Sequence, residues 1–370
     1  MPIPFMTLGP GEDRADIEAA IRRVIDRGWF VLGPEVEAFE AEFAAASGAA
    51  HAVGVNTGTD ALMLALRALD IGPGDEVITT PLTAGYTALA IRMAGATPVF
   101  ADVDPVRCTV APAAVEAAIT SRTRAVIPVH LYGQPADIAA IMAIAERHRL
   151  AVVEDCAQAH LATSQGRPVG TIGTLGAFSF YPTKNLGALG DGGAIVTSDP
   201  ALAARLRRLR NGGQTDRYRH VEAGVNSRLD EMQAAILRAR LPRLAGWTAR
   251  RRSLAARYRA ALAGTHVGVL PECDRGHVYH LFTVHSADRD GLQAALAADG
   301  IGTLVHYPIP VHRQPAFADL PTADCPVADA MASSVLSLPL HPALSDAEVN
   351  EVAASVRTFQ PAPERAQASR

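Results

Sequence analysis

A lysine stands at position 184 within the stretch FSFYPTKNLGALGDGGAIV, residues 178 to 196. It lies between a short aromatic strand and a glycine-rich turn that leads into a second apolar strand. Apolar neighbours desolvate an amine and favour its neutral form. A neutral primary amine condenses with an aldehyde to give an imine. Upstream, Val152-Val153-Glu154-Asp155-Cys156 closes an apolar strand with two carboxylates. A lysine for an imine, with a carboxylate to pair with a ring nitrogen, is the set that pyridoxal 5'-phosphate requires. Each member also has a plainer reading. A lysine in a loop is usually a solvated charge, and Asp155 can cap a helix beginning near Ala157.

The elements that would position these groups alternate in type. His51 to Val55 reads as a strand, followed by Asn56-Thr57-Gly58-Thr59 and an apolar helix from Asp60 to Leu69. Strand, small polar turn and helix direct free backbone N–H groups at an anion; alternatively Thr57 or Thr59 only caps the helix. Further strands are expected at 76–80, 97–101, 125–129 and 151–154, with helices at 87–93, 112–119 and 138–147 between them. The alternation predicts a mostly parallel α/β sheet, whose active groups collect at the carboxyl ends of the strands. Asp155, His130 and the turn after Val55 fall at such ends. A long helical region, 229–262, is interrupted at Pro242. Beyond it the pattern becomes α+β, with strands expected at 281–285 and 302–306 and helices at 289–299 and 346–358. The spacing predicts a large domain over residues 1–240 and a smaller one over 241–370, and residues 360–370 read as a polar tail.

A chain of 370 residues is long enough for two cores. With 49% hydrophobic and 19% charged residues, its composition is that of a globular protein. A net charge of −4 gives no global reason to bind nucleic acid. No apolar run is long enough to cross a bilayer, and the first residues lack a signal-peptide pattern. Four cysteines without metal-ligand spacing argue against disulfides and zinc. A cytoplasmic enzyme without a metal is expected.

Read together, Glu154-Asp155-Cys156-Ala157-Gln158-Ala159-His160 and Phe178-Ser179-Phe180-Tyr181-Pro182-Thr183-Lys184-Asn185-Leu186-Gly187 resemble the DegT/DnrJ/EryC1/StrS family of sugar aminotransferases. Asn56 to Leu62, Asn226-Ser227-Arg228-Leu229-Asp230 and His306-Tyr307-Pro308 fall in the family's order, so the resemblance runs from about Gly28 to Thr358. It implies a fold-type-I pyridoxal phosphate transferase acting as a homodimer. In it Lys184 carries the cofactor and shuttles protons, and Asp155 pairs with the ring nitrogen. Gln158 lies near the ring hydroxyl, with His160 on the same side. Gly58, Thr59 and Ser179 hold the phosphate, joined by Asn226 of the neighbouring subunit.

Two readings of His160 stand level, as a wall of the site or as an ordinary polar loop residue. His306, Tyr307 and His312 are expected to line the substrate entrance, although the intervening prolines also suit a rigid surface loop. Where the family usually has a stacking aromatic after Thr83, this chain has Ala84; Tyr86, two residues on, is the substitute if the turn is rearranged, and otherwise a partly buried core tyrosine. Leu161 and Ser227 also depart from the family pattern.

The resemblance implies glutamate as amino donor and a nucleotide-linked keto-sugar, aminated at ring carbon three or four, as acceptor. Lysine rather than histidine at 184 favours transamination over dehydration, since an imine needs a primary amine. Cyclitols or other non-nucleotide ketones remain open as acceptors, as does a non-catalytic sensor role. Arg205, Arg207, Arg208, Arg210, Arg217 and Arg219 are compatible with a pyrophosphate, though a solvated helix face is the commoner origin of such a run. Arg250-Arg251-Arg252 reads as solvated surface.

Overall fold

The computed structural model describes residues 2–321 and 323–361. The polar tail expected at 360–370 lies mostly outside them. Seven strands form one sheet: β1 (His51–Val55), β2 (Glu76–Thr79), β3 (Thr97–Phe100), β4 (Thr123–Ile127), β5 (Ala151–Asp155), β6 (Leu175–Ser179) and β7 (Gly193–Thr197). Their spatial order is β1-β7-β6-β5-β4-β2-β3. β7 pairs antiparallel with both neighbours, while the other pairings are parallel. Nearly every residue of these strands is buried, as a sheet covered on both faces demands. The fold is the α/β architecture of fold-type-I transferases.

Helices α1 (Arg14–Arg27), α2 (Pro34–Ser47), α3 (Gly58–Ala68), α4 (Tyr86–Met93), α5 (Pro112–Ala117), α6 (Ile138–His148), α7 (Pro200–Leu209) and α8 (Glu231–Arg240) accompany this sheet. α3 is apolar on almost every face, from Ala61 through Leu66, because it packs in the core under β6 and β7. A 3₁₀ turn at Leu241–Arg243 separates α8 from α9 (Leu244–Leu262), where Pro242 cannot continue the helix.

A second, three-stranded antiparallel sheet joins β8 (Gly268–Val269), β9 (Phe282–His285) and β10 (Val335–Leu338). α10 (Arg289–Ala298), α11 (Pro326–Ser334) and α12 (Asp346–Thr358) complete the chain. Tyr258, Phe282, Leu336 and Val352 belong to the core beneath this sheet. The strand expected at 302–306 does not form; only Leu304 bridges Ser337. The strand that pairs with β9 is β10, a fully buried segment, and Leu304 lies against its outer edge.

Candidate active site

The site is built on the carboxyl edge of the large sheet. Val55 at the end of β1, Gly193 at the start of β7 and Ser179 at the end of β6 lie in one row across the sheet. Asp155 ends β5 beside them. The row closes up only because two positions are glycine. A Cβ on Gly193 would stand 2.4 Å from the Thr57 carbonyl oxygen, and one on Gly58 would stand 2.6 Å from Ser179 Cβ. The first turn of α3 therefore abuts the end of β6, with its N–H groups facing the sheet edge.

Thr57 caps α3 by accepting the Asp60 N–H at 3.0 Å. The cap leaves the N–H groups of Gly58 and Thr59 free for an anion, since neither has an acceptor within its own helix. Ser227, where the family often has an aromatic, accepts the Asn56 N–H and donates to Asp60, pinning the turn before α3.

Asp155 is buried. Its Oδ2 accepts from Thr87 Oγ1 at 2.9 Å and its Oδ1 accepts the Ala157 N–H at 3.1 Å. Burial pushes its pKa up, against those two hydrogen bonds and the Lys184 charge. Burial pulls the Lys184 amine down to about 8, while Asp155 acts in the opposite sense. Behind Asp155, His130 Nε2 lies 3.0 Å from Glu154, which also accepts the N–H groups of Ile172 and Gly173. His130 Nδ1 takes the Ala136 N–H. His130, Glu154 and Cys156 have metal-binding types in close contact, but the polar atoms of His130 and Glu154 are engaged in bracing the end of β5.

Gln158 joins the two parts of the molecule. Its Oε1 accepts the Tyr132 N–H at 2.6 Å, and its Nε2 donates to Tyr307 Oη at 3.1 Å. Tyr132 Oη donates to the His306 carbonyl. Tyr132 holds φ at +60°, a costly conformation for a large side chain that aims its N–H at Gln158. His306 Nδ1 lies 3.0 Å from Ser337 Oγ, and burial together with the Lys184 charge lowers its pKa to about 4.

Lys184, Asp155, Gln158, Ser179, Gly58, Thr59, His306 and Tyr307 thus form one cluster. His160 is fully buried between the rings of Phe178 and Phe180, with centroids 5.5 and 5.7 Å away. It lies beneath the site rather than along an open wall. Tyr86 begins α4 and is 65% exposed, so its side chain stays outside the hydrogen-bonded cluster. The neighbouring Thr87, which faces Asp155, is the residue sequence reasoning missed. His312 is not brought to the cluster: Val311 bonds to the Pro81 carbonyl, and His312 Nε2 turns to Asp329 at 3.3 Å. Asn226 is exposed and bridges Asn211 of its own chain.

The arginines of the 205–210 run are tied to protein acceptors: Arg205 and Arg208 meet Glu222, Arg210 meets Glu40, and Arg207 lies 3.7 Å from Glu40. Arg217 and Arg219 are exposed. The sequence also marks Lys184 by composition: it is the only lysine in the chain, among 33 arginines.

The residues present fit pyridoxal 5'-phosphate. Lys184 would take the aldehyde, Asp155 the ring nitrogen and Gln158 the ring hydroxyl; the start of α3 and Ser179 would take the phosphate. When bound, the ring supplies an electron sink for the carbon that carries the migrating amine. Asp155 would serve it as an anion, since a positive charge on the ring nitrogen would offset the burial that raises the pKa of the carboxyl.

This fold and site are those of a pyridoxal phosphate-dependent aminotransferase. The chain belongs to the DegT/DnrJ/EryC1/StrS aminotransferase family, whose profile matches residues 12–357. It is 52% identical to a dTDP-3-amino-3,4,6-trideoxy-alpha-D-glucose transaminase of Streptomyces venezuelae, covering 96% of each chain. It is 51% identical to a UDP-N-acetyl-3-dehydro-alpha-D-glucosamine 3-aminotransferase of Acidithiobacillus ferrooxidans, covering 93% of this chain and 94% of that one. Among solved structures, S. venezuelae DesV in complex with a ketimine intermediate superposes with a TM-score of 0.93 at 52% identity, covering 96% of this chain and 98% of that one. The cofactor is pyridoxal 5'-phosphate.

Proposed function

We propose that this protein moves the amino group of glutamate to the ketone of a nucleotide-linked keto-sugar, at ring carbon three or four, in amino-sugar biosynthesis. The observation that carries this reading is the pairing of a low-pKa Lys184 with a buried Asp155 beside the α3 cradle. Lys184 carries the aldehyde and, once released by the donor, moves a proton to and from the reacting carbon; an amine with a pKa of about 8 can do both near neutral pH. His306 and Tyr307 shape the acceptor side. Two relatives named for dTDP- and UDP-linked sugars support a nucleotide-linked acceptor.

The catalytic unit in this proposal is a homodimer in which Asn226 reaches the neighbouring subunit's phosphate cradle. The exposed Asn226 and the apolar surface residues Trp29, Phe30, Leu89 and Met93 support it. The large domain ends at residue 240 and the smaller one begins at 241. A cytoplasmic setting accords with four unpaired cysteines; among the described residues no helix is long and apolar enough to cross a membrane. Purified holoenzyme with glutamate and a panel of nucleotide keto-sugars and cyclitol ketones tests the reading. Turnover of the nucleotide sugars is expected. Turnover of cyclitols alone overturns the acceptor class, and failure of glutamate to convert the cofactor to its amine form points to a sensor.

A further inference from the structure

A cavity of about 650 Å³ opens beside the Thr183-Lys184-Asn185 loop, bounded by the N-terminal segment, α9 and the turn at 341–343. Four arginines line it. Three are matched by carboxylates: Arg240 with Asp13, Arg243 with Asp16 and Arg250 with Asp346. Arg251 is different. It is only 4% exposed, and its protein hydrogen bonds all fall on Nη1, which donates to the carbonyls of Tyr279, His280 and Leu340. Its buried Nε has no partner. His341, 6% exposed, lines the same cavity with both ring nitrogens unpartnered.

Buried polar atoms without partners are costly, and a buried cation without a counter-ion more so. We infer that Arg251 and His341 form a subsite for one carboxylate of a dicarboxylic amino donor, whose amine is thereby delivered to Lys184. The inference rests on the aminotransferase reading above. A guanidinium with an unpaired Nε presents the edge that a carboxylate engages with two parallel hydrogen bonds, and a neutral imidazole adds a third donor. The charge balance favours a carboxylate over a diphosphate, because Arg240, Arg243 and Arg250 are already neutralised and one unmatched cation remains.

The test uses holoenzyme and glutarate, which has the five-carbon dicarboxylate frame of glutamate without the amine. Calorimetry should show glutarate binding that glutamate competes away. His341→Phe, which keeps the ring volume, and Arg251→Met should each weaken glutarate binding about tenfold or more, the loss of a charge-assisted hydrogen bond. The KM for glutamate should rise in parallel while kcat at saturating glutamate changes little. If Arg251→Met fails to fold, His341→Phe carries the test alone. Glutarate affinity unchanged by His341→Phe, no glutarate binding to wild type, or inorganic phosphate binding as tightly as glutarate overturns the subsite. Conversion of the cofactor to its amine form by glutamate in wild type is scored separately, so the subsite can fail while the aminotransferase reading stands.

Discussion

Burial and charge pull Lys184 in opposite directions, and burial prevails: the amine falls from an ordinary value of 10.5 to about 8, with Asp155 resisting the fall. The chain's single lysine makes this directly measurable. Protein labelled with 15N at the lysine ζ position gives one side-chain signal. In cofactor-free protein that signal is expected to titrate near pH 8. Below that pH the amine is protonated and cannot attack an aldehyde; above it the neutral form predominates, so cofactor capture should accelerate as pH rises through the same midpoint. Asp155→Asn removes the only charge that raises the value, and the midpoint should move lower still. A midpoint near 10 in wild type would show that the amine is solvated.

Between elements, the contacts that matter are those of backbone with backbone and of buried carboxylates with helix ends. Gly58→Ala places a methyl group 2.6 Å from Ser179 Cβ, so the first turn of α3 must move off β6. Overpacking of this kind costs about 1–3 kcal/mol, and the displaced N–H groups should hold the cofactor phosphate poorly. Faster loss of cofactor on dialysis, with only a modest drop in Tm, is the expected pair of results. Glu231, fully buried at the start of α8, accepts the N–H groups of Gly33, Glu35 and Val36 at the start of α2. Glu231→Ala strands all three donors, at about 1–3 kcal/mol for each unsatisfied group, and should lower the urea midpoint more than Gly58→Ala does. The sequence made the strands and helices of the large sheet legible because apolar runs alternate there with turn residues. It misled at 302–306, where apolar Leu304 and Val305 suggest a strand but the paired segment is β10. It also misled at Arg250-Arg251-Arg252, read as surface. Arg251 shares a buried face of α9 with Leu254, Ala255 and Tyr258, at helical spacings of three, four and seven, so its burial was written in the period. Thr87 could not be found this way, since its contact with Asp155 joins elements 68 residues apart.

At the scale of the whole molecule, a single chain assembles the aldehyde, ring-nitrogen and helix-start groups but leaves Asn226 exposed, bridging Asn211 on its own surface. If each cradle is completed by the other subunit's Asn226, the two functions can be separated by mutation. Lys184→Ala destroys the amine of its own site; Asn226→Asp leaves its own amine intact and places a negative charge against the phosphate in the neighbour's site. Each homodimer should be inactive or nearly so. After subunit exchange at equal concentrations, half the dimers are mixed. In a mixed dimer, one site combines the wild-type Lys184 of one chain with the wild-type Asn226 of the other, and its second site carries both defects. About a quarter of the wild-type activity should therefore appear on mixing, the fraction fixed by twofold pairing. If every site were contained in one chain, both kinds of site in the mixed dimer would carry a defect and mixing would restore nothing. Native mass spectrometry of the same samples, which separates the mixed dimer from both parents by mass, establishes that exchange occurred, so that a null recovery bears on the shared site itself.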